Sequence, residues 1–209
     1  MFIDPQAAQR LDWAKGDGLL PAVIQDADTL RVLMLGYMDE GALAMTCDSG
    51  KVTFFSRSKQ RLWMKGESSE NYLDVVRIEV DCDNDTLLVL ARPQGPTCHR
   101  GTTSCFATAP GNFLAELDAL VARRKAEMPE GSYTSKLFNK GTRHIAQKVG
   151  EEGVETALAA VAQGPEELTG EAADLLFHLT VLLRERGLGL ADVEALLKAR
   201  HADPGLLHD

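Results

Sequence analysis

Ala107-Thr108-Ala109-Pro110-Gly111-Asn112 is the stretch on which the fold turns. Small residues around a Pro-Gly pair, with no large apolar side chain, have the composition of a connection rather than of a packed element. On its N-terminal side the apolar runs are short, rich in Val, Ile and Phe and separated by turn residues, so that residues 20–24, 31–35, 51–56, 72–80 and 86–91 read as strands. One helix interrupts them over residues 39–46, with Asp39 as its cap. On the C-terminal side the apolar spacing lengthens to the helical period. Asn112 opens a helix running to residue 128, and residues 136–162 give a second with Leu137, Ile145, Val149, Val154, Leu158 and Val161 at its apolar positions. Residues 165–186 give a third and 190–199 a fourth, with Gly164, Gly187 and Gly189 as stops. The expectation is two domains: an α+β, β-rich domain over residues 1–110 and an all-α domain over residues 111–209. Gly150 and Gly153 inside the second helix each cost up to ~1 kcal/mol relative to Ala, which points to close approach of something to that backbone.

Composition narrows the function. A chain of 209 residues, 44% hydrophobic and 25% charged, is long enough for two cores and reads as an ordinary soluble protein. No apolar run approaches the ~18 residues of a membrane span, since residues 175–183 are interrupted by His178 and Thr180. A net charge of −9 argues against a nucleic-acid partner, and any anionic substrate must be met by local bases or metal ions. The start, Met-Phe-Ile-Asp-Pro, has neither the basic nor the apolar part of a secretory signal, so the expected location is cytoplasmic. In that reducing setting Cys47, Cys82, Cys98 and Cys105 read as metal ligands or core residues rather than disulfides.

Three segments of the first half carry chemistry. Asp81-Cys82-Asp83-Asn84-Asp85 sets three carboxylates at spacing two, which on an extended strand project to one side while Cys82 points to the other. Carboxylates suit magnesium and thiolates suit zinc, although an acidic turn at a strand end accounts for the triplet taken alone. Gly95-Pro96-Thr97-Cys98-His99-Arg100-Gly101-Thr102-Thr103-Ser104-Cys105-Phe106 adds two cysteines seven apart in a Gly-containing loop. Three thiolates leave an open position for a catalytic zinc and its water, with His99 placed as general base. By spacing alone, a structural site completed by His99 or Cys47 fits as well. The segment from Ser56 to Asn71 mixes bases, hydroxyls and Trp63; Arg57 and Lys65 suit a phosphate and Trp63 a base, or the whole is a solvated charged hairpin.

Ser56-Arg57-Ser58, Leu62-Trp63-x-Lys65-Gly66-Glu67, Asp81-Cys82-Asp83-x-Asp85 and Gly95-Pro96-x-Cys98-His99 to Ser104-Cys105-Phe106, in this order, resemble phosphoribosyl-AMP cyclohydrolase of histidine biosynthesis across residues 15–107. The resemblance implies zinc held by Cys82, Cys98 and Cys105 from two subunits of a homodimer, and magnesium held by Asp81, Asp83 and Asp85. Ser69-Glu70-Asn71 departs from the family's usual Ser-Gly-Asn, which puts the backbone angle of that loop in question.

In the second half, Glu152 with Glu155 and Glu171 with Asp174 stand at i, i+3 on successive helices, so antiparallel packing converges four carboxylates. A magnesium site explains such charge, with Glu152 and Glu155 as the catalytic members of the set; two solvated acidic faces are the plainer alternative. Apolar neighbours of Asp174 favour its partial burial. Lys136, Lys140, Arg143, His144 and Lys148 precede the acids and suit a polyphosphate, although Lys148 with Glu152 is also an ordinary i, i+4 pair. His178, four residues after Asp174, could reach the site, although a satisfied core histidine is the better reading. Ser132-Tyr133-Thr134-x-Lys136-Leu137-Phe138, Lys148-Val149-Gly150-Glu151-Glu152 and Ala173-Asp174-Leu175-Leu176-Phe177-His178 are similar to phosphoribosyl-ATP pyrophosphatase, an all-α, MazG-like family. Together the two resemblances imply a bifunctional hydrolase acting on small-molecule phosphoribosyl nucleotides.

Overall fold

Alternate residues of β1 (Leu20–Asp26) are buried, namely Leu20, Ala22, Ile24 and Asp26, and the same two-residue period recurs in Leu87, Val89 and Ala91 of β6 (Leu87–Pro93). In the computed structural model, which describes residues 2–201, β1 and β6 pair in parallel at the centre of a four-stranded sheet. Its edges are β2 (Val32–Met38), antiparallel to β1, and β5 (Leu73–Val80), antiparallel to β6. A two-stranded sheet of β3 (Thr53–Ser56) and β4 (Arg61–Met64) stands beside it. The four residues of β4 pair Arg61 to Ser56 and Met64 to Thr53, so residues 53–64 form the charged hairpin that was one of the two alternatives for this segment. Two helices complete this unit: the short α1 (Pro5–Ala8), also absent from the sequence reading, and α2 (Glu40–Ser49), capped by Asp39 through the Ala42 N–H at 2.7 Å. Buried Thr46 ties α2 to β3, accepting from the Thr53 N–H at 2.9 Å and donating to Ala42 O at 2.8 Å. Ile3, Leu33, Val52, Phe54, Leu73 and Ile78 fill the core between these layers.

Contacts divide the chain between Asn112 and Phe113. The second unit is helical: α3 (Phe113–Glu127), α4 (Tyr133–Lys140), α5 (Thr142–Ala162), α6 (Pro165–Glu185) and α7 (Leu190–His201). The single helix expected over residues 136–162 is two, because Gly141 takes φ 80°, ψ 174° and turns the chain. Two residues connect α5 to α6, and the pair packs as a helical hairpin. Val121, Leu137, Phe138, Ile145 and Val181 form this unit's buried apolar cluster. Among the described residues nothing approaches Gly150 or Gly153, and Val154, Leu158 and Val161 on the same helix are exposed. No helix among the described residues is long and apolar enough to cross a membrane.

Candidate active sites

The first unit holds a cavity of about 540 Å³ whose wall brings together Trp63, Lys65, Asn71, Cys98, His99 and Cys105. Each wall element has a local cause. Ser104 hangs the cysteine loop on β2, its Oγ donating to Val32 O at 2.7 Å while the Cys105 N–H donates to Leu33 O at 2.8 Å. Cys98 is fixed by a tight turn, its N–H bonded to Thr102 O and its carbonyl to the Gly101 N–H. The Arg100 N–H and the Thr102 hydroxyl hold the Cys98 thiol below its ordinary range, whereas burial pushes the Cys105 thiol up. His99 is exposed, with Nδ1 3.9 Å from Cys98 Sγ.

Trp63 stacks on Phe54 with ring centroids 5.8 Å apart, so β4 presents it half-buried at the cavity. Lys65 is only 7% exposed, its Nζ donating to Asn71 O at 3.2 Å. Burial lowers its pKa, opposed by the Cys105 and Cys98 thiolates. Arg57 is not among the cavity residues; at the hairpin tip it lies 3.8 Å over the Tyr37 ring. The loop after Lys65 closes tightly: Gly66 takes φ 94°, and a Cβ there would meet Asn71 C at 2.7 Å. Glu70 keeps a left-handed φ of 60°, its N–H bonded to Gly66 O at 2.8 Å, so the backbone angle a glycine would take survives the departure from Ser-Gly-Asn.

Asp81, Asp83 and Asp85 converge, each offering an oxygen within 4.8 Å of the others'. They do so in the turn between β5 and β6 and not on an extended strand. Asp81 Oδ1 accepts from the N–H groups of Asp85 and Thr86 at 3.0 and 3.1 Å, and Asn84 has φ 63°. A cation already meets this triad: Lys15 Nζ lies 2.5 Å from both Asp83 and Asp85, holding the Asp85 carboxyl below its usual range. Cys82, exposed in the same turn, does not join Cys98 and Cys105, because the only groups of three or more metal-ligating residues among the described ones are all-carboxylate. Cys47, half-buried, packs on the core.

In the second unit the hairpin of α5 and α6 brings Glu152, Glu155 and Glu171 within 4.8 Å. Glu152 is 6% exposed and bonded to Lys148 Nζ at 3.3 Å, the expected i, i+4 pair. Partial desolvation and the neighbouring Glu152 and Glu171 raise the Glu155 carboxyl. Asp174 is exposed rather than partly buried and stands outside this group of three, because Ala173 and Leu176 beside it face outward too. Lys136, Lys140 and Arg143 are exposed, Lys140 Nζ lying 3.4 Å from His144 Nε2. Sequence reasoning set His178 aside as core; it is 4% exposed, with Nδ1 3.5 Å from Glu152 Oε1. Its place four residues after Asp174 was the available signal.

Residues 34–107 match the family model of phosphoribosyl-AMP cyclohydrolase, and residues 114–201 match that of phosphoribosyl-ATP pyrophosphohydrolase. The chain is 71% identical over 195 residues to the histidine biosynthesis bifunctional protein HisIE of Xanthomonas campestris, covering 93% of this chain and 95% of that one. The protein of the same name from Xylella fastidiosa is 67% identical over 191 residues, 91% of this chain and 93% of its own. That of Escherichia coli K12 is 59% identical over 202 residues, 96% of this chain and 100% of its own. With each half matching one enzyme and such relatives aligning over nearly their whole lengths, the chain belongs to the bifunctional histidine-biosynthesis hydrolases, with a cyclohydrolase and a pyrophosphohydrolase domain in one polypeptide.

Proposed function

We propose that residues 111–209 cleave phosphoribosyl-ATP to phosphoribosyl-AMP and pyrophosphate, and that residues 1–110 then open the adenine ring of the product between N1 and C6. The observation that carries the reading is the cavity in which Trp63, Lys65 and His99 share a wall with Cys98 and Cys105. The donors fit the metals the family implies: two approaching thiols, one held toward its thiolate, suit zinc, and two clusters of convergent carboxylates suit magnesium. Cys98 and Cys105 of one chain, completed by Cys82 from another, would hold the zinc; Asp81, Asp83 and Asp85, and Glu152, Glu155 and Glu171 with Asp174, would hold magnesium. When bound, zinc supplies water activated near neutral pH, and magnesium offsets the charge of the phosphates.

The chain's own groups do the rest. Trp63 offers a face for the purine and Lys65 a fixed positive charge on the cavity wall. With Nδ1 against Cys98, His99 takes the proton of the attacking water at Nε2 and returns it to N1 as the N1–C6 bond breaks, leaving a carboxamide. Lys136, Lys140 and Arg143 meet the polyphosphate from the start of α5 and the helix before it. The separation of Cys82 from the other two cysteines, and the exposure of Val154, Leu158 and Val161, support a homodimer that shares the zinc site.

Product analysis by mass spectrometry, with phosphoribosyl-ATP and magnesium, tests both steps. Ring-opened product is expected, stopping at phosphoribosyl-AMP once zinc is stripped. Unchanged substrate would overturn the reading of the second half, and phosphoribosyl-AMP accumulating with zinc present would overturn that of the first.

A further inference from the structure

Beside the carboxylates of the helical unit lies a buried imidazole. His178 on α6 is 4% exposed, and both ring nitrogens are engaged. Nδ1 lies 2.9 Å from Asp174 O and 3.5 Å from Glu152 Oε1; Nε2 lies 3.1 Å from the Tyr133 hydroxyl. A carbonyl and a carboxylate only accept, so Nδ1 carries the hydrogen and Nε2 accepts from Tyr133, which fixes tautomer and ring together. Phe177 packs edge-on against the ring at 5.3 Å and Tyr133 does so at 6.2 Å.

Glu152, 6% exposed, is the buried member of the α5–α6 carboxylate group. A carboxylate taken out of water needs donors, and Glu152 finds Lys148 Nζ at 3.3 Å from Oε1, with the imidazole Nδ1 3.5 Å from the same oxygen. Lys148 is one turn away on the same flexible-stemmed helix face and also bonds Glu151 at 2.9 Å, so it supplies charge without fixing direction. The imidazole comes from the facing helix and is itself held by α4 through Tyr133, so it bounds the position of Oε1 from a second, independently fixed side.

We propose that His178 and Tyr133 are positioning residues of the pyrophosphohydrolase site, orienting Glu152 toward the divalent cation it shares with Glu155 and Glu171. This rests on the reading of those carboxylates as a metal site. Partners that orient metal ligands in this way are each worth roughly 10- to 100-fold in affinity. Asn at position 178 keeps a donor near Nδ1 and loses the link to Tyr133; Leu loses both; Tyr133→Phe removes only the hydroxyl.

The test is manganese binding to the full chain, followed by electron paramagnetic resonance, beside steady-state release of pyrophosphate from phosphoribosyl-ATP as a function of manganese. Glu152→Gln identifies the binding events that belong to this site. His178→Leu is expected to weaken those events about tenfold or more and to raise half-saturating manganese by the same factor, His178→Asn to restore most of the loss, and Tyr133→Phe to shift both by about threefold. Ring opening assayed directly on phosphoribosyl-AMP reports on the other unit and is expected to stay unchanged. If Glu152→Gln alters neither manganese binding nor pyrophosphate release, the metal reading and the positioning role fall together. If Glu152→Gln acts but His178→Leu and Tyr133→Phe lower only the melting temperature, the positioning role alone is overturned. Should His178→Leu fail to fold, Tyr133→Phe and His178→Asn decide in the same way.

Discussion

Burial opposes the charge of Lys65. It is buried and depressed in pKa, with one carbonyl for a partner and two thiols nearby. A lysine whose folded pKa lies below its unfolded 10.5 binds fewer protons in the native state across that interval, so the native state gains stability as pH rises through it. Below the folded pKa the penalty is present in full. Lys65→Met is therefore expected to stabilise the metal-free protein at neutral pH by about 1 kcal/mol, the gain shrinking toward alkaline pH, while lowering ring opening about tenfold or more. Urea denaturation across pH beside the ring-opening assay checks this, and a less stable variant would show that the Asn71 bond outweighs the cost of the buried charge. Glu70 makes a complementary case. Its left-handed backbone costs a non-glycine residue about 1 kcal/mol, so Glu70→Gly should raise the urea midpoint accordingly and leave ring opening within a few-fold. No gain in midpoint would mean that the Glu70 side chain compensates for the strain.

Among the elements, α3, α6 and α7 are tied by a single clip. Asp118, 4% exposed, takes two bonds of 2.6 Å from Arg184 and a third, 3.1 Å, from the Leu190 N–H. Asp118→Ala strands the guanidinium and that N–H, and is expected to cost about 2–3 kcal/mol in denaturant unfolding. A loss below about 0.5 kcal/mol would place the clip with ordinary surface pairs. The α5–α6 hairpin carries the proposed metal site instead. Glu171→Gln should reduce pyrophosphate release about 100-fold, with ring opening from supplied phosphoribosyl-AMP untouched; equal loss of both activities would indicate unfolding rather than a damaged metal site. The meeting of Glu152, Glu155 and Glu171 was legible in the sequence, because helical spacing fixes a face and a two-residue connection forces the partner helix to return alongside. Asp174 shows where that logic stops: the period puts it on the face of Glu171, but its exposure depends on how deep the facing helix lies. Gly141 was equally hidden, since the apolar period continues across it while the backbone does not.

At the scale of the molecule, the cysteines bear on how many chains make one site. If Cys82 serves the zinc of a second subunit, chains carrying Cys82→Ala and chains carrying Cys98→Ala, each inactive in ring opening alone, should recover activity when refolded together, because mixed dimers contain one intact set. Recovery approaching one quarter of the wild-type rate is expected if half the dimers are mixed and one of their two sites is whole. No recovery from a demonstrated mixed dimer would confine the site to single chains. The same dimer should cover part of the α5 surface, so Val161→Glu is expected to weaken association in light scattering; Val161 is 87% exposed in the chain by itself.

The sequence by itself determined the two-part architecture and the strand and helix grammar on either side of Pro110-Gly111. Those follow from local rules, periodicity and capping. Only the tertiary structure decided that Asp81, Asp83 and Asp85 meet in a turn held by Asp81 and already countered by Lys15, that Lys65 is buried beside thiols while Arg57 stays on Tyr37, and that His178 faces Glu152. Each of these depends on residues distant in the chain approaching within a few ångströms, and no period or spacing encodes a distance that packing alone sets.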